Sequence, residues 1–109
     1  MSDAATLKKT FEEMQKRFKP NTLDKDQTVY FSLGEGPGMK YTMWIGPSKC
    51  EIKEGKGVEN ADNFIKTSAD LFVQMIAGKY KPGVMDFMRG KISAKDPMAL
   101  QGLFKAFGA

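Results

Sequence analysis

An α+β fold is the class this sequence predicts. Three consecutive segments alternate apolar and polar residues, two further short strand-like segments follow, and amphipathic helical patterns flank and separate them. A sheet with one apolar face needs a cover, and the helical stripes supply it. At 109 residues the chain is read as one domain, residues 1–109, long enough for a real core.

Residues 3–19 form the clearest helix. Leu7, Phe11, Met14 and Phe18 recur at steps of four, three and four, making one apolar stripe. Ser2 or Asp3 can cap its start, and Pro20 ends it. Its polar side pairs Lys8 with Glu12, Lys9 with Glu13, Glu12 with Lys16 and Glu13 with Arg17 at i,i+4 spacing. Such a mixed face suits a helix lying on the core better than one docked on an anionic membrane.

Three strands then follow. From Gln27 to Leu33 the residues Val29, Phe31 and Leu33 share one side, and Thr28, Tyr30 and Ser32 the other. Gly34-Glu35-Gly36-Pro37-Gly38 is a turn region. Met39 to Ile45 alternates again, Gly46-Pro47-Ser48 breaks the chain, and Lys49 to Glu54 places Cys50 and Ile52 inward. Short turns between consecutive strands predict an antiparallel meander.

The second half is softer and more apolar. Asn63 to Thr67 reads as a fourth strand, and Ser68 caps a helix with Leu71, Phe72, Met75 and Ile76 on one face. Gly78 stands where a left-handed cap belongs, and Pro82 can open a short helix carrying Met85 and Met88. Gly90 ends that helix, Lys91 to Ala94 is a short fifth strand, and Pro97 starts a last helix bearing Leu100, Leu103, Phe104 and Phe107. Five of the eight Phe and four of the eight Met fall between Phe64 and Phe107, and this concentration of flexible apolar side chains suits holding a greasy guest.

Composition narrows the chemistry. The chain has no histidine, so Ser-His and Cys-His pairs are impossible, and its single cysteine excludes an internal disulfide. Cys50 on an inward strand face reads as a small buried hydrophobe, and Asp62, Asp70 and Asp86 as surface or capping groups. No metal-binding spacing occurs, and neither a metal nor a cofactor is expected. Gly34 to Lys40 fails as a phosphate loop: Met39 precedes the lysine, Tyr41 follows it, and a strand comes next. A net charge of +4 is too mild to argue for nucleic acid. Lys40, Lys49, Lys53 and Lys56, with Tyr30, Tyr41 and Trp44 to stack, read as an ordinary exposed sheet face. The polar start of the chain lacks a signal-peptide pattern and no apolar run reaches the ~18 residues of a spanning helix, so an intracellular protein is expected.

The order of these elements resembles a known family. Ala61-Asp62 with its short strand, Ser68-Ala69-Asp70-Leu71, Gly78-Lys79, Pro82, Met88-Arg89-Gly90-Lys91-Ile92 and Met98-Ala99-Leu100 are similar to the sterol carrier protein-2 family of lipid-binding domains. The resemblance covers most of the chain and is densest over residues 61–104. Two positions depart from the family pattern: Asn63 replaces the apolar residue after Ala-Asp, and Asp96-Pro97 stands where Gly-Asp is frequent.

The resemblance implies a five-stranded, mostly antiparallel sheet with helices packed on one face, and a tunnel between the two layers. It implies non-catalytic carriage of a fatty acyl chain, fatty acyl-CoA, phospholipid or sterol, in the cytoplasm or peroxisomal matrix. On that basis the expected lining is Phe72 and Met75, then Met85, Phe87 and Met88, then Ile92, and finally Leu100, Leu103, Phe104 and Phe107. Arg89, Lys91 and Gln101 are the head-group candidates. Transient contact with an anionic membrane is the expected partner interaction besides the lipid, and no nucleic acid is expected. The open alternative is an interaction module that binds a partner protein through the same apolar helices.

Overall fold

The computed structural model describes residues 3–36, 38–80 and 83–107. The elements run α1 (Ala4–Arg17), β1 (Gln27–Ser32), β2 (Lys40–Ile45), β3 (Cys50–Glu54), β4 (Asn63–Lys66), α2 (Ala69–Ile76), α3 (Val84–Met88), β5 (Ser93–Ala94) and α4 (Pro97–Lys105). Asp3 caps α1 by accepting from the Thr6 amide. Ser2, the other candidate cap, and Pro82 lie outside the described residues.

The five strands form one sheet in the order β3-β2-β1-β4-β5. The meander is as expected: β1 pairs antiparallel with β2, and β2 with β3. The chain then crosses over, so that β4 lies parallel to β1, and β5 returns antiparallel beside β4. The sheet is therefore mostly antiparallel, with one parallel pair at its centre.

Strand alternation gives the sheet two unlike faces. Val29, Phe31, Met43, Ile45 and Ile65 point inward and are fully buried beneath the helices. Phe11 of α1 anchors that layer. Its ring stacks on Tyr41 at 4.1 Å and on Phe72 at 5.2 Å, and meets Phe31 edge-on at 5.3 Å. Tyr41 thus faces the core with Met43 and Ile45, as the alternation of β2 places it, and does not join Tyr30 and Trp44 on the other face. The residue alternates with its neighbours, and its register partner Phe31 points the same way.

Candidate ligand-binding site

Local signals fold the cover of the inner sheet face. Ser68 accepts from the Leu71 amide at the start of α2. At its end Gly78, with φ +78°, allows a Schellman turn: the Gly78 amide donates to Met75 and the Lys79 amide to Gln74. The same device ends α3, where Gly90 at φ +77° lets its amide donate to Phe87 and that of Lys91 to Asp86. Pro97 sits in the first turn of α4, and Asp96 caps it by accepting from the Ala99 amide.

These turns gather most of the expected lining. Phe72, Met75, Ile92, Leu100, Leu103, Phe104 and Phe107 join one buried cluster with the inner sheet face, and Phe87 packs partly against it. Phe72 is held in the ring stack with Phe11 and Phe31. Met85 and Met88 stand outside the cluster, 54% and 75% exposed. The reason is geometric. The five-residue α3 turns Asp86 and Phe87 toward the protein, so positions three apart on its other side meet solvent. Met98 on α4 is more exposed still, at 80%, and was not among the expected residues. Its offset of two from Leu100 is the sequence signal that places it on the opposite face.

Polar contacts hold the cover in place. The two departures from the family pattern meet each other. The Asn63 side-chain amide donates to the Asp96 carbonyl at 2.9 Å, while its oxygen accepts from the Asp96 amide at 3.0 Å. This clamp ties the start of β4 to the turn before α4. At the other end of α4 the Lys19 amide donates to the Ala106 carbonyl at 2.7 Å. Arg17 reaches the C-terminal carbonyl of α2, donating to Ile76 at 3.0 Å. The head-group candidates Arg89, Lys91 and Gln101 are all exposed.

Asp86 organises the α2–α3 connection. Its carboxylate accepts from the Tyr80 hydroxyl and from the Gly83 amide, and is almost fully buried. The Tyr80 hydrogen bond, the Gly83 amide and the neighbouring Lys91 and Arg89 hold its pKa below the ordinary 3.8. A depressed carboxylate stabilises the fold fully above that value and loses its contribution as pH falls through the folded-state pKa. Acidification below about pH 4, through the depressed pKa of Asp86, is therefore expected to release Tyr80. Tyr80 ring resonances followed by NMR should shift over that range, and the shift should vanish in Asp86→Asn.

Reactive groups are scarce. Burial pushes the Cys50 thiol up to about 11, so it stays protonated and a poor nucleophile near neutrality. Among the described residues no cluster of His, Cys, Asp or Glu could hold a metal ion, and no helix is long and apolar enough to cross a membrane.

No family model matches the chain. Solved structures show its architecture all the same. A crystal structure of sterol carrier protein 2 superposes with a TM-score of 0.60 over 92% of this chain and 88% of that one, at 12% identity. The chain has the sterol carrier protein-2 fold. The same fold is embedded in a much larger solved protein, a stereoselective inverting sec-alkylsulfatase from Pseudomonas sp. There the TM-score is 0.72 over 86% of this chain and 15% of that one, at 14% identity. Among curated proteins, hydroxysteroid dehydrogenase-like protein 2 of Bos taurus is 31% identical over 98 residues, covering 89% of this chain. The chain spans about a quarter of the length of the curated relatives it matches.

Proposed function

We propose that this domain binds and carries a single hydrophobic ligand, an acyl chain or sterol, between the inner sheet face and the α3–α4 cover, with no chemical step. One observation carries the reading. Apolar side chains line both surfaces of the cover, with Leu100, Leu103, Phe104 and Phe107 beneath and Met85, Met88 and Met98 outside. On this reading the cover lifts about the Asn63–Asp96 clamp to admit the guest, while the sheet stays paired.

Energetics set the size of guest. Each buried methylene contributes about 0.8 kcal/mol, so ten contribute about 8 kcal/mol, against an association cost of similar size. Short chains should therefore bind poorly, and affinity should rise about fourfold per added methylene that the protein buries. The exposed methionines give the ligand an apolar path inward, and Arg89, Lys91 and Gln101 stand ready to meet a head group.

Native mass spectrometry of freshly purified protein, with titration by a fluorescent fatty acid, tests the proposal. Stoichiometric lipid that leaves on delipidation and returns on mixing is the expected result. Met88→Glu, at a surface position, should change stability by less than about 0.5 kcal/mol yet lower fatty-acid uptake at least about fivefold. A bare protein that ignores the fatty acid would instead favour a partner-binding module.

A further inference from the structure

The outer face of the sheet, turned away from the helices, carries a second arrangement that lipid carriage does not use. Strand register builds it in two rows. Tyr30 on β1 lies directly beside Phe64 on β4, which puts two aromatic rings on neighbouring strands of one face. One step along, Ser32 lies between Lys40 on β2 and Lys66 on β4. The Lys40 ammonium donates to the Ser32 hydroxyl at 2.7 Å, so a cation and a hydroxyl are already brought together.

A wall stands over these rows. The Thr42 hydroxyl, fully buried, donates to the Gly55 carbonyl at 2.7 Å and accepts from the Gly57 amide at 2.8 Å, pinning residues 55–57 to the sheet. Gly57 lies so close to the Trp44 ring that a Cβ there would come within 2.6 Å of it. The pinned segment brings the Lys56 ammonium over the Tyr30 ring, 5.7 Å from its centroid. Between wall and rows is an open cavity of about 430 Å³, lined by Tyr30, Ser32, Phe64 and three lysines, Lys56, Lys66 and Lys95, against the single acid Glu59.

We infer that this cavity binds a nucleoside phosphate, its base on Phe64 beside Tyr30 and its phosphates along Ser32, Lys66 and Lys95. Each part of the ligand answers a feature of the face. Phe64 is 37% exposed on a sheet surface, where a flat π system can cover it. The lysines and the serine hydroxyl supply charge-assisted and neutral hydrogen bonds to phosphate oxygens. A plain lipid tail would leave the lysines uncompensated, and a simple anion would leave the exposed Phe64 ring bare. The volume fits one small ligand. The site is independent of the inner face, so its test stands whether or not lipid is carried.

Titration of the 15N-labelled chain with ADP, followed by amide shifts, decides the matter. Saturable shifts centred on Tyr30, Ser32, Phe64 and Lys66, half-complete below about 1 mM and weaker at about 250 mM than at about 50 mM salt, are expected. Adenosine and pyrophosphate should each bind at least about tenfold more weakly than ADP. Phe64→Ala and Lys66→Glu, both at exposed positions, should keep the fold and weaken ADP binding by at least about tenfold. No saturable shift at these residues, pyrophosphate binding as tightly as ADP, or unchanged affinity in both folded variants would overturn the inference. So would a short RNA oligonucleotide that saturates this face while ADP does not.

Discussion

Replacing Phe11 by alanine is expected to cost about 3–5 kcal/mol, a large part of the ~5–15 kcal/mol that holds a domain of this size together. Phe11 is 3% exposed, and its ring is the only described one that touches Phe31, Tyr41 and Phe72 together. Truncation removes a large apolar area and three ring contacts at once, and leaves a hole that the sheet cannot collapse to fill. Urea unfolding should show a much lower midpoint with little change in slope. Phe18→Ala provides the contrast. Phe18 is only partly buried and meets Phe107 at 6.2 Å in a tilted contact, so its loss should cost far less. Equal losses at the two positions would mean that α1 is not seated on the sheet as described.

Asn63→Leu is expected to destabilise the protein by about 2 kcal/mol and to loosen α4 selectively. The Asn63 side chain, 2% exposed, satisfies both the amide and the carbonyl of Asp96. A leucine there satisfies neither, and each buried polar group left unpaired costs about 1–3 kcal/mol, less where water can reach it. Hydrogen exchange should locate the effect, with amides of α4 losing protection while those of β1 and β2 keep theirs. Asp96→Ala separates the cap from the clamp. It removes the bond from the Ala99 amide, worth about 1 kcal/mol, but leaves the Asp96 backbone free to keep both bonds to Asn63. If the cover opens about this clamp to admit lipid, Asn63→Leu should also speed lipid exchange.

Much of the architecture was legible because its signals are local. The Leu7-Phe11-Met14 stripe and the alternation around Val29 and Phe31 state directly which residues share a side. Gly78 occupies the left-handed position read for it, and Gly90, read only as a helix end, adopts the same conformation, for a backbone reason that needs no partner. The site was legible only in part. Phe72, Ile92, Leu100 and Leu103 are gathered inward, whereas Met85 and Met88 project outward from a helix too short for its periodicity to tell one side from the other. Asn63 and Asp96-Pro97 stood out individually in the sequence. Their mutual hydrogen bonds did not, because 33 residues separate them.

The kinds of element, their order and the absence of histidine chemistry could be read from the chain alone, since each depends on composition or on neighbours along it. Tertiary structure alone decided that β4 lies parallel to β1, and with that choice came the pairing of Tyr30 with Phe64 and of Ser32 with Lys66. Periodicity tells which side chains point the same way. What they point at is fixed only when distant segments meet, because strand pairing and helix docking are chosen by the burial of the whole core.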